Sequence, residues 1–200
     1  MKNAGRVRAR WNKAGGTFAM IRMIAAGDRR LMTRVNRWRP PRWLRTWMIA
    51  ASRAGDGWLW IGLGALIGLF GGPLRTEAIL AGLASAGLGW AVFFFVKKLA
   101  GRERPCATEP NCWATLLPPD RFSFPSGHTI MAFAITASIG LYYPSLLAGL
   151  IFCAMSVAAS RVLLGLHYLT DVLAGIALGC LIGMSMTVAV PRLLTAILNV

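Results

Sequence analysis

The chain has 200 residues, of which 56% are hydrophobic, and its 22 Lys and Arg oppose only 7 Asp and Glu for a formal net charge of +15. That apolar fraction exceeds the share that is usual for soluble domains. A nucleic-acid-binding protein could be as basic, but it would lack uncharged runs of membrane-spanning length, and such runs are present here. The composition therefore indicates one domain of an integral membrane protein and excludes a nucleic-acid partner.

Residues 1–56 are predicted to form a basic, amphipathic region that lies on the membrane surface. Arg and Trp alternate with apolar residues from Phe18 to Trp38, a pattern typical of one or two helices attracted to anionic headgroups. For residues 1–16 a disordered basic tail is an equal alternative. A Pro pair then precedes a helix at about 42–56, which is too short and too charged to span, and no cleavable signal peptide is predicted.

The rest of the chain, residues 57–200, is predicted to be an all-α bundle of about five membrane-spanning helices. A spanning helix needs roughly 20 predominantly apolar residues. Segments of this kind fall at about 57–72, 76–98, 126–142, 144–161 and 167–190. The chain is therefore expected to be a multi-pass protein of the cytoplasmic membrane.

Small residues mark one face of the last predicted span. Gly175, Gly179 and Gly183 recur every four residues, which lets a neighbouring backbone approach closely. The neighbour is expected to be another helix of the same chain, with a homodimer partner as the alternative.

The order of the spans brings the polar segments to one end of the bundle. The second span ends and the third begins on the same membrane face, and the fourth returns to that face before the fifth leaves it. Segments Lys97–Arg104, Ser126–His128 and Arg161–Asp171 are therefore expected to converge. Each group alone could be an interfacial anchor, a helix cap or a structural pair. Ionisable groups gathered near membrane depth, here including both histidines of the chain, instead indicate a functional site.

The His and Asp side chains of this cluster suit nucleophilic catalysis. Asp171 follows His167 by four residues, so the two side chains would share one helix face. An Asp that accepts the proton of one imidazole nitrogen leaves the other nitrogen as a nucleophile. His128 would be a second imidazole at the same site, able to protonate the leaving oxygen.

The cations of the cluster suit an anion with several oxygen atoms. Lys97, Arg104 and Arg161 oppose only one acid, and Arg offers the forked geometry that phosphate accepts. Ser126 and the backbone N–H groups at the start of the third span would add donors. Because no paired carboxylates or Cys/His cluster indicates a metal, no cofactor is expected. The residues predict metal-independent phosphoryl hydrolysis through a phosphohistidine.

Three motifs carry a family resemblance. The stretch KKLAGRERP has the form K-x6-RP, PSGH follows at residues 125–128, and SRVLLGLHYLTD has the form SR-x5-H-x3-D. In this order and spacing they resemble the type 2 phosphatidic acid phosphatase (PAP2) superfamily, over about residues 57–190. The resemblance implies a helical bundle in which His167 is the nucleophile, Asp171 its partner and His128 the general acid. It also implies five phosphate-binding residues, which are Lys97, Arg104, Ser126, Gly127 and Arg161.

Among the branches of that family, the predicted spans favour the membrane lipid phosphatases over the soluble acid phosphatases and the vanadium haloperoxidases. The implied substrate is a lipid phosphate or diphosphate, and phosphatidic acid, phosphatidylglycerol phosphate and a polyprenyl diphosphate all fit. Two alternatives stay open. One is a non-enzymatic transporter or lipid-binding scaffold on the same bundle, and the other is vanadate-dependent oxidation at the same site.

Two features point to opposite membrane faces for the cluster. With five spans the N-terminus shares the catalytic face, and the 14 Lys and Arg of residues 1–56 would place that face in the cytoplasm. Many membrane members of the family act on the outer face, and the loop with Cys106 and Cys112 would suit an oxidising compartment, where the two could form a disulfide. Two unpaired thiols are the equal alternative.

Overall fold

The structure is a computed structural model that describes residues 23–108 and 121–198, and within those residues it is a helical bundle without a β-sheet. Its helices in chain order are α1 (23–37), α2 (Arg42–Ala54), α3 (Trp58–Phe70), α4 (Arg75–Ala100), α5 (Pro105–Thr108), α6 (Gly127–Tyr142), α7 (Leu147–Leu163) and α8 (Leu169–Leu198). Short 3₁₀ turns at Gly72–Leu74 and Pro144–Leu146 lead into α4 and α7. The predicted all-α fold is confirmed.

The apolar helices make the chain a multi-pass membrane protein. Three helical segments within the described residues are long and apolar enough to cross a bilayer, namely Gly72–Ala100, Pro144–Leu163 and Leu169–Ile197. Helices α3 and α6 are apolar but shorter. Each of the five predicted segments therefore corresponds to an apolar helix.

The last helix differs from its prediction at both ends. It begins at Leu169 rather than at 167, because the chain first turns through Gly165, whose φ of 73° suits glycine. It also continues beyond the predicted end at 190 to Leu198, with Pro191 inside it. A Pro is tolerated in a membrane helix when its neighbours satisfy the freed backbone groups, so it did not mark the end of the helix.

Helix α6 lies at the centre of the bundle, where it packs against α4, α7 and α8. The contact with α8 depends on glycine. A Cβ atom at Gly175 would lie 3.0 Å from the Ser126 carbonyl oxygen, and one at Gly179 would lie 2.6 Å from the Ile130 carbonyl oxygen. The expectation that the glycine repeat packs within the chain is confirmed.

Helices α1 and α2 lie at the end of the bundle where the polar segments meet. Arg161, in the last turn of α7, donates a hydrogen bond from Nη1 to the Ser52 hydroxyl of α2 at 2.6 Å. Asp28 of α1 accepts a hydrogen bond from the backbone N–H of Thr170 at the start of α8. Two helices are thus present within the region predicted to be amphipathic, and the predicted alternatives for residues 1–16 lie outside the described residues.

Candidate active site

A cavity of about 660 Å³ opens at this end of the bundle. It lies between α4, α6, the turn that precedes α3 and the turn that follows α7. Six of the predicted site residues line it, namely Lys97, Arg104, Gly127, His128, Arg161 and His167. The structure therefore brings together three segments that lie far apart along the chain, as their order in the spans predicted.

His167 lies in the turn between α7 and α8 and is 2% exposed. The backbone N–H groups of Leu166 and His167 both donate to the Arg161 carbonyl at 3.0 Å and hold this turn closed. The His167 Nδ1 atom lies 2.6 Å from the Ser123 carbonyl oxygen. Because a carbonyl oxygen can only accept, Nδ1 carries the proton and Nε2 keeps a lone pair.

The predicted hydrogen bond between His167 and Asp171 is wrong. Nδ1 lies 3.7 Å from Asp171 Oδ2, too far for a hydrogen bond, and His167 precedes α8 instead of sharing a helix face with Asp171. Oδ2 accepts the Tyr168 backbone N–H at 2.9 Å, while Oδ1 accepts Arg102 Nη1 at 2.7 Å. Asp171 is therefore a buried anion beside the ring, and the Ser123 carbonyl selects the tautomer.

The surroundings of His167 keep its ring neutral. Burial lowers its pKa to about 4, helped by the charges of Arg161 and Arg104 and opposed by Asp171. Arg104 donates from Nη1 to the Leu166 carbonyl at 2.9 Å, and the same nitrogen lies 3.0 Å from the His167 Nε2 atom. A guanidinium is thereby held beside the lone pair, where an incoming anion would also bind.

Arg102 and Asp28, for which the motifs predict no role, connect Asp171 and its neighbour His167 to helix α1. Arg102 bridges the carboxylates of Asp171 and Asp28, at 2.7 Å from each, and its guanidinium lies 4.0 Å from the centroid of the Tyr168 ring. Asp28 also accepts the Thr170 backbone N–H at 3.3 Å. Neither residue was predicted from the sequence, although Asp28 is the only acidic residue among the first 55 and therefore stands out in so basic a segment.

His128 lies in the first turn of α6, and its side chain is 25% exposed. Its Nε2 atom lies 2.6 Å from Oδ1 of Asp56, in the turn between α2 and α3. Asp56 was not predicted from the sequence, because it lies outside the motifs and 72 positions away from His128. This end of the bundle thus contains a second pair of His and Asp side chains.

Lys97, Arg104 and Arg161 are buried around the cavity. The Lys97 ammonium group lies 4.4 Å from the centroid of the Phe93 ring, a cation–π contact within α4. A Cβ atom at Gly127 would lie 2.9 Å from the same ring, so glycine allows the start of α6 to pack against α4. Three cations and a helix start therefore share one small volume.

Ser126 lies at the start of α6, beside the cavity but not on its lining. It occupies the N-cap position of α6 but makes no side-chain cap hydrogen bond, and it is fully buried away from the cavity lining. Its hydroxyl accepts a hydrogen bond from the Thr129 hydroxyl at 2.9 Å, and its backbone N–H donates to the Asp171 carbonyl at 3.1 Å. Ser126 therefore joins α6 to α8, and its predicted contact with phosphate stays a prediction.

A second cavity of about 410 Å³ lies between α3, α4 and α6. It shares Gly57, Trp60 and Met131 with the first cavity, so the two are adjacent. Its lining consists of apolar side chains and glycine. A charged site beside an apolar space suits a molecule with a phosphate at one end and a hydrocarbon chain at the other.

The polar loop between α4 and α6 is described only at its two ends. Cys106 lies in α5, whereas Cys112 belongs to residues 109–120, outside the described part of the chain. Whether the two form a disulfide or remain thiols therefore stays a prediction.

Comparison with known proteins agrees with this geometry. Residues 77–194 match the PAP2 superfamily. The decaprenylphosphoryl-5-phosphoribose phosphatase of Mycobacterium tuberculosis is 34% identical over 131 residues, which cover 64% of this chain and 68% of that protein. The transmembrane PAP2-type phosphatidylglycerolphosphate phosphatase of Bacillus subtilis has a similar structure, with a TM-score of 0.68 and 27% identity over 82% of this chain and 84% of that one. Aquifex aeolicus LpxE gives a TM-score of 0.65 and 26% identity over 78% and 92%. The chain therefore belongs to the PAP2 superfamily and is a helical membrane phosphatase.

Proposed function

We propose that this membrane lipid phosphatase removes the terminal phosphate monoester of a lipid through a phosphohistidine on His167. The observation that carries the proposal is the orientation of that imidazole. Its Nε2 lone pair lies 3.0 Å from the Arg104 guanidinium, at a cavity that Lys97 and Arg161 also line. A phosphate that enters the cavity would meet the nucleophile and the cations together.

The reaction proceeds in two displacements at phosphorus. In the first, the His167 Nε2 lone pair forms a bond to phosphorus and the bond from phosphorus to the lipid oxygen breaks. The departing oxygen takes a proton from the His128 imidazolium, so the lipid leaves as an alcohol. In the second, water attacks the phosphohistidine while neutral His128 takes a proton from that water. Inorganic phosphate is then released, and His167 is regenerated.

The remaining residues stabilise the charges that are present on the phosphoryl group and on the ring of His167. Lys97, Arg104 and Arg161 neutralise the negative charge on the phosphoryl oxygens. The Ser123 carbonyl holds the proton on Nδ1 of His167, so the ring attacks only through Nε2. The phosphorylated ring carries a positive charge, which the Asp171 carboxylate stabilises across 3.7 Å.

This chemistry requires no metal ion. We expect EDTA to leave the rate of phosphate release unchanged, and a strong loss of activity with the chelator would contradict the mechanism. Vanadate is expected to inhibit, because it resembles the five-coordinate phosphoryl group. Halide oxidation supported by vanadate would instead favour the haloperoxidase alternative.

The preferred substrate is a polyprenyl-linked sugar phosphate of the kind named for the M. tuberculosis relative. That protein is 34% identical to this chain over 131 residues. The apolar cavity next to the charged one accommodates part of the hydrocarbon chain that all of the candidate lipids carry. Phosphatidic acid and phosphatidylglycerol phosphate, which also end in phosphate monoesters, are the next candidates, and a polyprenyl diphosphate is the last.

A substrate panel tests both the chemistry and the preference. The purified protein in detergent is given decaprenylphosphoryl-5-phosphoribose, phosphatidic acid, phosphatidylglycerol phosphate and undecaprenyl diphosphate, and released phosphate is measured. We expect the highest kcat/KM for the first and none of the substrates to be cleaved by His167→Gln. Equal release by the wild type and this variant would refute the phosphohistidine, and a preference for the diphosphate would overturn the substrate assignment.

We further propose that the catalytic end faces the cytoplasm, with residues 1–56 on the inner surface of the cytoplasmic membrane. The N-terminal helices contact that end through Asp28 and Ser52, and residues 1–56 carry 14 Lys and Arg. A Trp43→Cys variant without the native Cys residues tests this, because Trp43 is exposed on α2. An impermeant thiol reagent should label it only after the membrane is permeabilised, and labelling in intact cells would place the site outside.

A further inference from the structure

The turn between α2 and α3 places a carboxylate in the cationic cavity. A Cβ atom at Gly55 would lie 2.9 Å from the Val157 side chain of α7, so the turn packs tightly against that helix. Gly57 has a φ of 127°, which side-chain-bearing residues rarely adopt. Asp56 is therefore held in place by the backbone on both sides, and its side chain, 47% exposed, lines the cavity.

The carboxylate of Asp56 is directed at His128. Its Oδ1 atom lies 2.6 Å from Nε2 of that ring. Among the described residues that line the cavity, Asp56 is the single acidic side chain beside three cations. A carboxylate in contact with the imidazole offsets the cost of holding a protonated ring among positive charges, and it fixes the direction of the ring.

We propose that Asp56 is the positioning residue of the proton donor and that it makes the site selective for phosphate monoesters over diphosphates. This inference rests on the function proposed above and deepens it. During the first displacement the His128 imidazolium keeps its Nε2 hydrogen on Asp56 and transfers the Nδ1 proton to the departing oxygen. When water attacks, Nδ1 regains a proton, and the charge of Asp56 stays the same throughout.

The selectivity follows from the group that departs. A monoester releases an alkoxide, a strong base that needs the proton, so its cleavage depends on a well-placed donor. A diphosphate releases a phosphate anion, which needs the proton less. That anion would also lie next to the Asp56 carboxylate, where like charges repel. Asp56 therefore accelerates the first reaction and slows the second.

Asp56→Asn tests the proposal, because it keeps the size of the side chain and removes its charge. Initial rates are compared on farnesyl phosphate and farnesyl diphosphate, which share one tail and differ in the departing group. We expect kcat/KM on the monoester to fall about 10- to 100-fold, the loss that removal of a hydrogen bond to a charged group usually causes. Because the substitution also removes the repulsion of the departing phosphate, kcat/KM on the diphosphate should fall less or rise, and the diphosphate-to-monoester ratio should rise about tenfold or more. An unchanged ratio, whether both rates fall or neither does, overturns the proposal.

Two further variants separate this role from a structural one. Asp56→Glu keeps the carboxylate, so a monoester rate above that of Asp56→Asn supports the proposal and an equal rate counts against it. Glu77→Gln removes an acid at the start of α4, at the opposite end of the bundle, and should leave the ratio unchanged. Activity of His167→Gln would refute the phosphohistidine itself, whereas an inactive His167→Gln with an unchanged ratio in Asp56→Asn refutes only the role of Asp56.

Discussion

The two pairs of His and Asp at the catalytic end of the bundle differ in how each ring is held. His167 is 2% exposed, and its Nδ1 atom bonds to a backbone carbonyl while the Asp171 carboxylate stays 3.7 Å away. His128 has 25% of its side chain exposed and bonds directly, at 2.6 Å, to the more exposed Asp56. Backbone atoms therefore hold the buried ring, and a side chain holds the accessible one.

This difference matches the chemistry proposed for each ring. A nucleophile must present one lone pair in a constant direction, and a backbone carbonyl neither rotates away nor takes up a proton. A proton donor must lose and regain a proton in every cycle, which is easier in contact with water. The surroundings thus assign different roles to two side chains of the same type.

Replacement of the buried His167 should lower kcat more than any other substitution considered. We expect His167→Gln to lower kcat by at least about 10³-fold, because the variant cannot form the covalent intermediate. His128→Gln should lower kcat about 10²-fold, which is the lower end of the contribution of general acid catalysis. Phosphate release measures both, and an equal loss in the two variants would contradict the assignment of nucleophile and donor.

Asp171→Asn measures how much the buried ring depends on its carboxylate. If Asp171 selected the tautomer, its loss would cost about 10⁴-fold, as an incorrect tautomer does in serine proteases. Because the Ser123 carbonyl has that role here, we expect a loss of about 10²-fold in kcat, from electrostatic stabilisation alone. A loss near 10⁴-fold would show that the carboxylate orients the ring after all.

Asp28→Asn tests the connection from α1 to the buried pair. Removal of this charge weakens the bridge through Arg102, which holds the Asp171 carboxylate. We expect kcat to fall about tenfold with little change in KM, the lower end of the loss that follows removal of a hydrogen bond to a charged group. Arg29→Gln, at an exposed neighbouring position on α1, is the matched control and should retain full activity.

The smallest effect concerns pH. Burial lowers the pKa of His167 to about 4, so its ring stays neutral as the pH falls from 7 to 5.5 and protonation of this group should cost less than about twofold in rate. Below pH 6.5 an unfolded chain takes up the proton first, so this histidine makes the fold less stable as the pH falls from about 6.5 towards 4.

Nuclear magnetic resonance can measure that pKa directly. The chain has two histidines, so His128→Asn leaves His167 as the single imidazole. Its ring signals should titrate with a midpoint near 4. A midpoint near 6.5 would mean that water reaches the ring and that burial does not set its protonation state.

Hydrophobic runs and motif spacings can be read from residues that are close together in the sequence. They were enough to predict the helices of this protein and most of the residues that meet at its site. The five apolar helices, the intrachain role of Gly179 and the meeting of Lys97, Arg104, Arg161 and the two histidines at one end all agree with the structure. The meeting could be predicted because alternate spans return the chain to the same membrane face.

Only the packed helices show which partner each ring takes. Asp28 lies 74 positions from Arg102, and Asp56 lies 72 positions from His128, so no local pattern connects them. Even the four-residue spacing from His167 to Asp171 misled, because the turn through Gly165 delays the start of α8 and moves the ring towards the Ser123 carbonyl. Hydrogen bonds depend on tenths of an ångström, and the packing of distant helices sets distances of that size.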